Sequence, residues 1–222
     1  MSLPVCSPVR IGLFACLLAA GFFSKPQHAA ADDATARSDS PQALLDANLS
    51  HWQTTGAWQV SADAPITVQL TKPKNRGFQL FPDYKAFLWS KEAYADFDLS
   101  FEFKLPKDGR SGLFFRSRSL NNYHEIQLAD SHGNANRLRD TDCGGLVDVK
   151  APLSQACRPP GNWNHMRLRV LGSQVSVTLN DTLVLETQLK DVASDAEKRK
   201  GRIAIQDQGH LIEIRRMEIT PL

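Results

Sequence analysis

The chain has 222 residues, 42% of them hydrophobic and 23% charged, enough for one sizeable core of ordinary globular composition. Its 26 basic and 24 acidic side chains nearly cancel. Removing residues 1–31 would take away Arg10 and Lys25 and no acid, leaving a balanced domain, which argues against a broad electrostatic surface for nucleic acid or anionic lipid.

The first element is apolar. Arg10 precedes IGLFACLLAAGFF (Ile11 to Phe23), and the run breaks at Ser24, Lys25 and Pro26. Thirteen residues are short for a bilayer span but suit the central region of a secretory signal. Ala29 and Ala31 place cleavage after Ala31. A retained anchor and a lipoprotein acylated at Cys16 are the competing readings. Residues 1–31 are therefore expected to be a signal peptide, with the protein periplasmic or secreted and no membrane span after cleavage. Residues 32–43 (DDATARSDSPQA) are small and polar and predict a flexible linker, leaving residues 44–222 as the folded domain.

Two stretches predict helix: PQALLDANL at Pro41 to Leu49, and LKDVASDAEKRK, the second as a weak helix or extended loop. Everything else reads as strands. In chain order these are WQVSA, ITVQL, AFLWS, DFDLSFEFKL, GLFFRSR, YHEIQLA, HMRLRVLG, QVSVTLN, TLVLETQL, RIAIQDQ and LIEIRRMEIT. Many alternate with period two: Leu99, Phe101, Phe103 and Leu105 share one face while Ser100, Glu102 and Lys104 share the other. Turn residues separate them in PKDGRSG, SLNN, LGSQ and LNDT. The pattern predicts a single all-β domain, an antiparallel β-sandwich or jelly roll with one curved sheet and a concave polar face.

With Cys6 and Cys16 lost to the signal, Cys143 and Cys157 remain, and an exported protein lives where disulfides form. A Cys143–Cys157 bridge is expected. The alternative, a metal-binding pair, lacks a second Cys/His pair at suitable spacing.

In YHEIQLAD, Tyr123, Glu125 and Gln127 alternate with His124, Ile126 and Leu128. One strand face then carries a phenol, a carboxylate and an amide in a row. That face is either solvated or a site.

Taken in order, AFLWS, YADFDLSFEFK, RSGLFFR, YHEIQLAD, CGGLVDVKAP, PPGNWNHMRL, VTLND, GRIAIQDQG and IEIRRMEI resemble the 3-keto-disaccharide hydrolase domain family, from about Trp52 to Leu222. The resemblance implies a concanavalin-like or laminin-G-like jelly roll and cleavage, hydrolytic or eliminative, of glycosides already oxidised to a ketone at C3. The keto group acidifies the hydrogen at C2. A base removes it, and the enolate expels the anomeric substituent. Glu125 and Gln127 match the family's Glu-x-Gln strand and Asp130 the aspartate closing it. Arg116 matches the arginine ending its Ser-Gly-x-Phe-x-Arg strand, and Gln206 and Asp207 match its late Gln-Asp pair. Trp89 and Trp163 match aromatic positions. The resemblance thus implies Glu125 as base or metal ligand, Arg116 as clamp for the keto oxygen or a hydroxyl, and Gln127, Gln206 and Trp89 as sugar contacts; the strand alternation adds Tyr123 to that face as a further sugar contact. Asp130 and Asp207 are the candidate ligands of a divalent cation, calcium or similar.

The family pattern is broken twice. Arg110 stands where relatives often have Asn. Gln208 stands where they often have His, a catalytic or ligand position; His210, two residues later, is the expected substitute, with His124 and His132 as the alternatives. The implied partner is a carbohydrate or 3-keto-glycoside. The alternatives are a non-catalytic carbohydrate-binding jelly roll and a cell-envelope interaction module.

Overall fold

The computed structural model describes residues 40–54, 58–61, 63–70, 87–119, 121–134 and 136–222. The expected signal (1–31) and most of the expected linker lie outside these residues. Among them the chain forms thirteen strands and one helical turn: β1 Gln42–Ala43, β2 Trp52–Thr54, β3 Trp58–Ser61, β4 Thr67–Leu70, β5 Phe87–Tyr94, β6 Phe97–Lys104, β7 Arg110–Ser119, β8 Asn122–Ala129, β9 Asn164–Leu171, β10 Gln174–Leu179, β11 Thr182–Gln188, α1 Ala196–Arg199, β12 Gly201–Gln206 and β13 Glu213–Pro221. All pairings are antiparallel. An eight-stranded sheet runs β11-β10-β9-β6-β13-β4-β3, with β1 beside β13. A five-stranded sheet runs β2-β5-β12-β7-β8. This is the expected jelly-roll sandwich.

Period-two alternation explains the core. On β6, Phe97, Leu99, Phe101 and Phe103 are buried while their neighbours are half-exposed. Met166, Leu168 and Val170 do the same on β9, and Ile203 and Ile205 on β12. Full burial of such side chains contributes about 1.5–3 kcal/mol each. These residues form one cluster between the sheets.

The helix expected at Pro41 to Leu49 is replaced by β1 and a turn. Gln42 and Ala43 pair with Ile219 and Glu218, so the expected linker ends before residue 43. Leu44 and Leu49 are buried, and the Trp52 indole donates to the Leu44 carbonyl at 2.7 Å. Once Leu44 and Leu49 plug the core's edge, local helix propensity is overridden. The second helical stretch survives only as the single turn α1, capped by Asp195. No helix among the described residues is long and apolar enough to cross a membrane.

The β7–β8 hairpin carries the sequence-flagged strand. Phe114 pairs with Glu125 and Gly112 with Gln127, but the register shifts between Phe115 and Ser119. Arg116 lies in that irregularity with φ +47°. The far edge of β8 is closed by residues 144–147. Gln127 N–H donates to the Gly145 carbonyl, Gly144 N–H to the Gln127 carbonyl and Val147 N–H to the Glu125 carbonyl, at 2.9–3.0 Å.

Candidate active site

Phe114 and Phe115 are adjacent on a strand, so they face opposite ways. Phe115 enters the main core, whereas Phe114 joins Phe87, Trp89 and Ala204 in a second apolar cluster on the outer face of the five-stranded sheet. The registers line this face up. Gln53, Trp89, Ala204, Phe114 and Glu125 make a row across all five strands. Two residues further along, Phe87 pairs with Gln206 and Gly112 with Gln127. Phe87 contacts Trp89 and Phe114 at ring distances of 5.1 and 5.0 Å. Tyr123 stacks flat on Phe114 at 4.1 Å and 12°, and the residue remains 36% exposed.

Glu125 lies at the end of this aromatic floor and is only 8% exposed. It leans over Gly112: a Cβ added there would sit 2.1 Å from Glu125 Oε1. Only glycine leaves that space. The Gln208 amide donates to Glu125 Oε1 at 3.3 Å and to Gln206 Oε1 at 2.6 Å, so the three side chains form a chain of polar groups. Burial pushes the Glu125 carboxyl up to about 7, and the Asp148 carboxylate pushes the same way. The Arg110 guanidinium and the Gln208 hydrogen bond pull it down but do not prevail. Burial, then Glu125 and Asp148, also raise the Tyr123 phenol. A carboxyl that changes charge near neutrality beside an aromatic floor is equipped for general acid–base work.

Several expected roles are corrected. Arg116 is not a clamp on this face. The backbone irregularity turns it away, and its guanidinium donates to the Ala95 carbonyl at 2.6 Å and to Asp96 at 2.8 Å. Arg110, at the other end of β7, is the guanidinium whose charge reaches Glu125. His210 is not joined to Glu125, Gln206 or Gln208 by any hydrogen bond among the described residues; its Nδ1 is buried without a partner there. Gln208 holds the place beside Glu125. Trp89 is 4% exposed and belongs to the floor; the exposed ring is Tyr123. Gln127 is buried with its amide tied to the Ser111 carbonyl at 2.6 Å, so it braces β7 against β8. Trp163 lies on the eight-stranded sheet, between Lys104 and Arg215.

The cation ligands do not fit their expected role. Asp130 accepts the backbone N–H groups of Asp108 and His132, and Asp207 accepts that of Gly209, so both cap turns. The described residues hold no group of three or more His, Cys, Asp or Glu suited to a metal ion. Cys143 and Cys157 are both buried, free thiols in this structure. They are nonetheless neighbours: contact with the Cys157 thiol, then burial, push the Cys143 thiol well up.

Arg110, Gly112, Phe114, Asp148 and Gln208 were the site positions not selected from sequence. Arg110 and Gln208 carried a signal, since they are the two breaks in the family pattern and both act on Glu125. Phe114 carried one too, because a Phe-Phe pair in a strand must send one ring away from the core.

Fold and site together define a jelly roll with a carboxyl-centred site on one sheet face. Over residues 40–220 the chain matches the 3-keto-alpha-glucoside-1,2-lyase-like domain, and it belongs to that family. Among solved structures it is similar to a candidate glycosyl hydrolase from Parabacteroides distasonis, with 23% identity and TM-score 0.65, over 82% of this chain and 100% of that one. A second such protein from the same organism gives 21% and 0.61, over 83% and 84%. A Bacillus subtilis protein of galectin-like fold gives 13% and 0.54, over 82% and 94%. These likenesses show the fold. Comparison with curated proteins finds no match.

Proposed function

We propose that this chain is an exported enzyme that cleaves 3-keto-glycosides, with Glu125 as the base. The observation that carries the reading is the buried Glu125 carboxyl, pushed up to about 7 at the edge of an aromatic floor. In the reaction, the Glu125 carboxylate takes the proton from C2 and the electron pair passes to the C3 oxygen as an enolate. The enolate then re-forms the ketone, creates a C1–C2 double bond and breaks the anomeric C–O bond. The departing oxygen receives the proton that Glu125 holds. The product is a 1,2-unsaturated 3-keto sugar, and addition of water across its double bond completes hydrolysis.

A base poised near operating pH serves both proton transfers. Arg110 supplies the positive charge on this side of the sheet that an enolate requires. Gln206 and Gln208 offer amides to sugar hydroxyls, and Tyr123 offers its outward ring to a sugar face. Family membership supports the substrate class. Arg10 and the apolar run after it support export, and the adjacent Cys143 and Cys157 thiols support a disulfide in an oxidising compartment.

The exposed Tyr123 ring also favours a second reading, a carbohydrate-binding module without turnover. A 3-keto-glucoside with a chromogenic leaving group separates the two. Release by wild type that disappears in Glu125→Gln supports the enzyme. No release, with saturable sugar binding by calorimetry, supports the module.

A further inference from the structure

His124 and Glu125 are neighbours on β8 and face opposite ways. Behind the site, on the His124 side, lies a cleft of about 280 Å³ between the β7–β8 hairpin and residues 190–199. Its lining includes Arg116, Arg118, His124, Lys190, Lys198 and Arg199, against a single lining carboxylate, Asp191. Two of these cations are buried at its base: Arg116 is 5% exposed and the Arg199 side chain 10%. Both depend on one carboxylate, Asp96, which binds Arg116 at 2.8 Å and Arg199 at 2.7 Å.

Two guanidiniums sharing one carboxylate in a low-dielectric base leave positive charge uncompensated, which is costly unless an anion answers it. The consequences are visible locally. Burial and the Arg199 charge both depress Arg116, and burial and the Arg116 charge keep the His124 imidazole below its usual range. Arg199 donates through Nη1 to the carbonyls of Ala193 and Ser194 and through Nη2 to Asp96. Its Nε is buried and has no hydrogen-bond partner among the described residues. A buried charged donor without an acceptor is the feature an incoming oxygen would satisfy. Arg118, Lys190 and Lys198 at the rim add charge to draw an anion in.

We propose that this cleft binds a compact oxyanion, sulfate or phosphate, free or carried as an ester on a sugar. Guanidiniums match such groups in geometry and charge. The assignment is independent of the chemistry at Glu125.

The test titrates the full chain with sodium sulfate and with sodium phosphate, using sodium chloride at matched ionic strength as control. The readouts are calorimetry and the NMR signal of the Arg199 Nε–H. A saturable shift with either oxyanion, absent with chloride, is expected. The exposed pair Arg118→Gln and Lys198→Gln, combined in one variant, should weaken binding at least tenfold while leaving cleavage at Glu125 unchanged. Monosaccharide sulfate and phosphate esters distinguish the source: tighter binding than the free ion assigns the ester, and binding of the free ion alone assigns the ion. The absence of any saturable shift, or equal affinity in the double variant, overturns the site.

Discussion

The two outer faces of the sandwich treat carboxylates in opposite ways. On the eight-stranded sheet, Asp98 binds Arg167 and Arg169, and Glu102 binds Arg215 and Arg216, at 2.6–3.1 Å. Lys104 pairs with Glu213, and Trp163 is covered by Lys104 and Arg215. The guanidiniums hold Asp98 and Glu102 below the usual carboxylate range even though burial opposes them. On the five-stranded sheet, Glu125 has no ion-pair partner at bonding distance among the described residues, leans on a glycine and an aromatic floor, and is raised to about 7. One face is a solvated lattice of satisfied charges. The other keeps one acid uncomfortable, which costs stability and provides a proton carrier near neutral pH.

The largest expected effect breaks the reactive side of this contrast. Glu125→Gln should lower kcat/KM on a 3-keto-glucoside by about 10²–10⁴-fold, the range for loss of a general base. Progress curves with the chromogenic substrate measure it. Glu102→Gln should leave kcat/KM unchanged.

Gly112→Ala comes next. The added methyl meets Glu125 Oε1 at 2.1 Å and must displace it. Activity should fall about 10²-fold through misplacement, and unfolding stability by about 1–3 kcal/mol through overpacking. Denaturant titration and kinetics on the same sample separate the two losses.

The third prediction concerns stability and changes sign between the faces. Glu125 has a folded pKa of about 7, above its ordinary 4.5. Its favourable contribution is therefore complete below about pH 4.5 and is lost as pH rises through 7. Relative to wild type, Glu125→Gln should gain about 3 kcal/mol between pH 4 and pH 8. Glu102 has a depressed pKa, so its contribution is present above 4.5 and fades as pH falls through its folded value. Glu102→Gln should lose about 1 kcal/mol at pH 7, a modest sum for a partly solvated pair of ion pairs, and the gap should close in acid. Urea midpoints across pH test both variants.

The smallest effect sharpens the electrostatics of the site. The Asp148 carboxylate raises Glu125, so Asp148→Asn should move the acid limb of the kcat/KM profile to lower pH.

The two faces look alike in sequence. DLSFEFKL and YHEIQLAD both alternate apolar with polar residues, and alternation alone places Glu102 and Glu125 equally on an outer face. Every strand expected from the sequence forms, because period two is a property of the chain itself. β1 and β2 were not legible: they are two and three residues long and exist by pairing with β13 and β5. Glu125 was legible through its motif, but its environment depends on Gly112 and Phe114 across the ladder and on Gln208 about eighty residues away. The role of Arg116 was misread because alternation presumes a regular ladder, and the register shift after Phe115 turns that side chain to Asp96. Pairing across the fold, rather than local pattern, distinguishes a carboxylate held by ion pairs from one raised by burial.

The most direct test of this contrast is a carboxyl-carbon NMR titration of Glu125 and Glu102 in the same protein. A Glu125 midpoint of about 7 and a Glu102 midpoint below the ordinary carboxylate value are expected. Titration of Glu125 at or below 4.5, together with Glu102, would contradict the contrast.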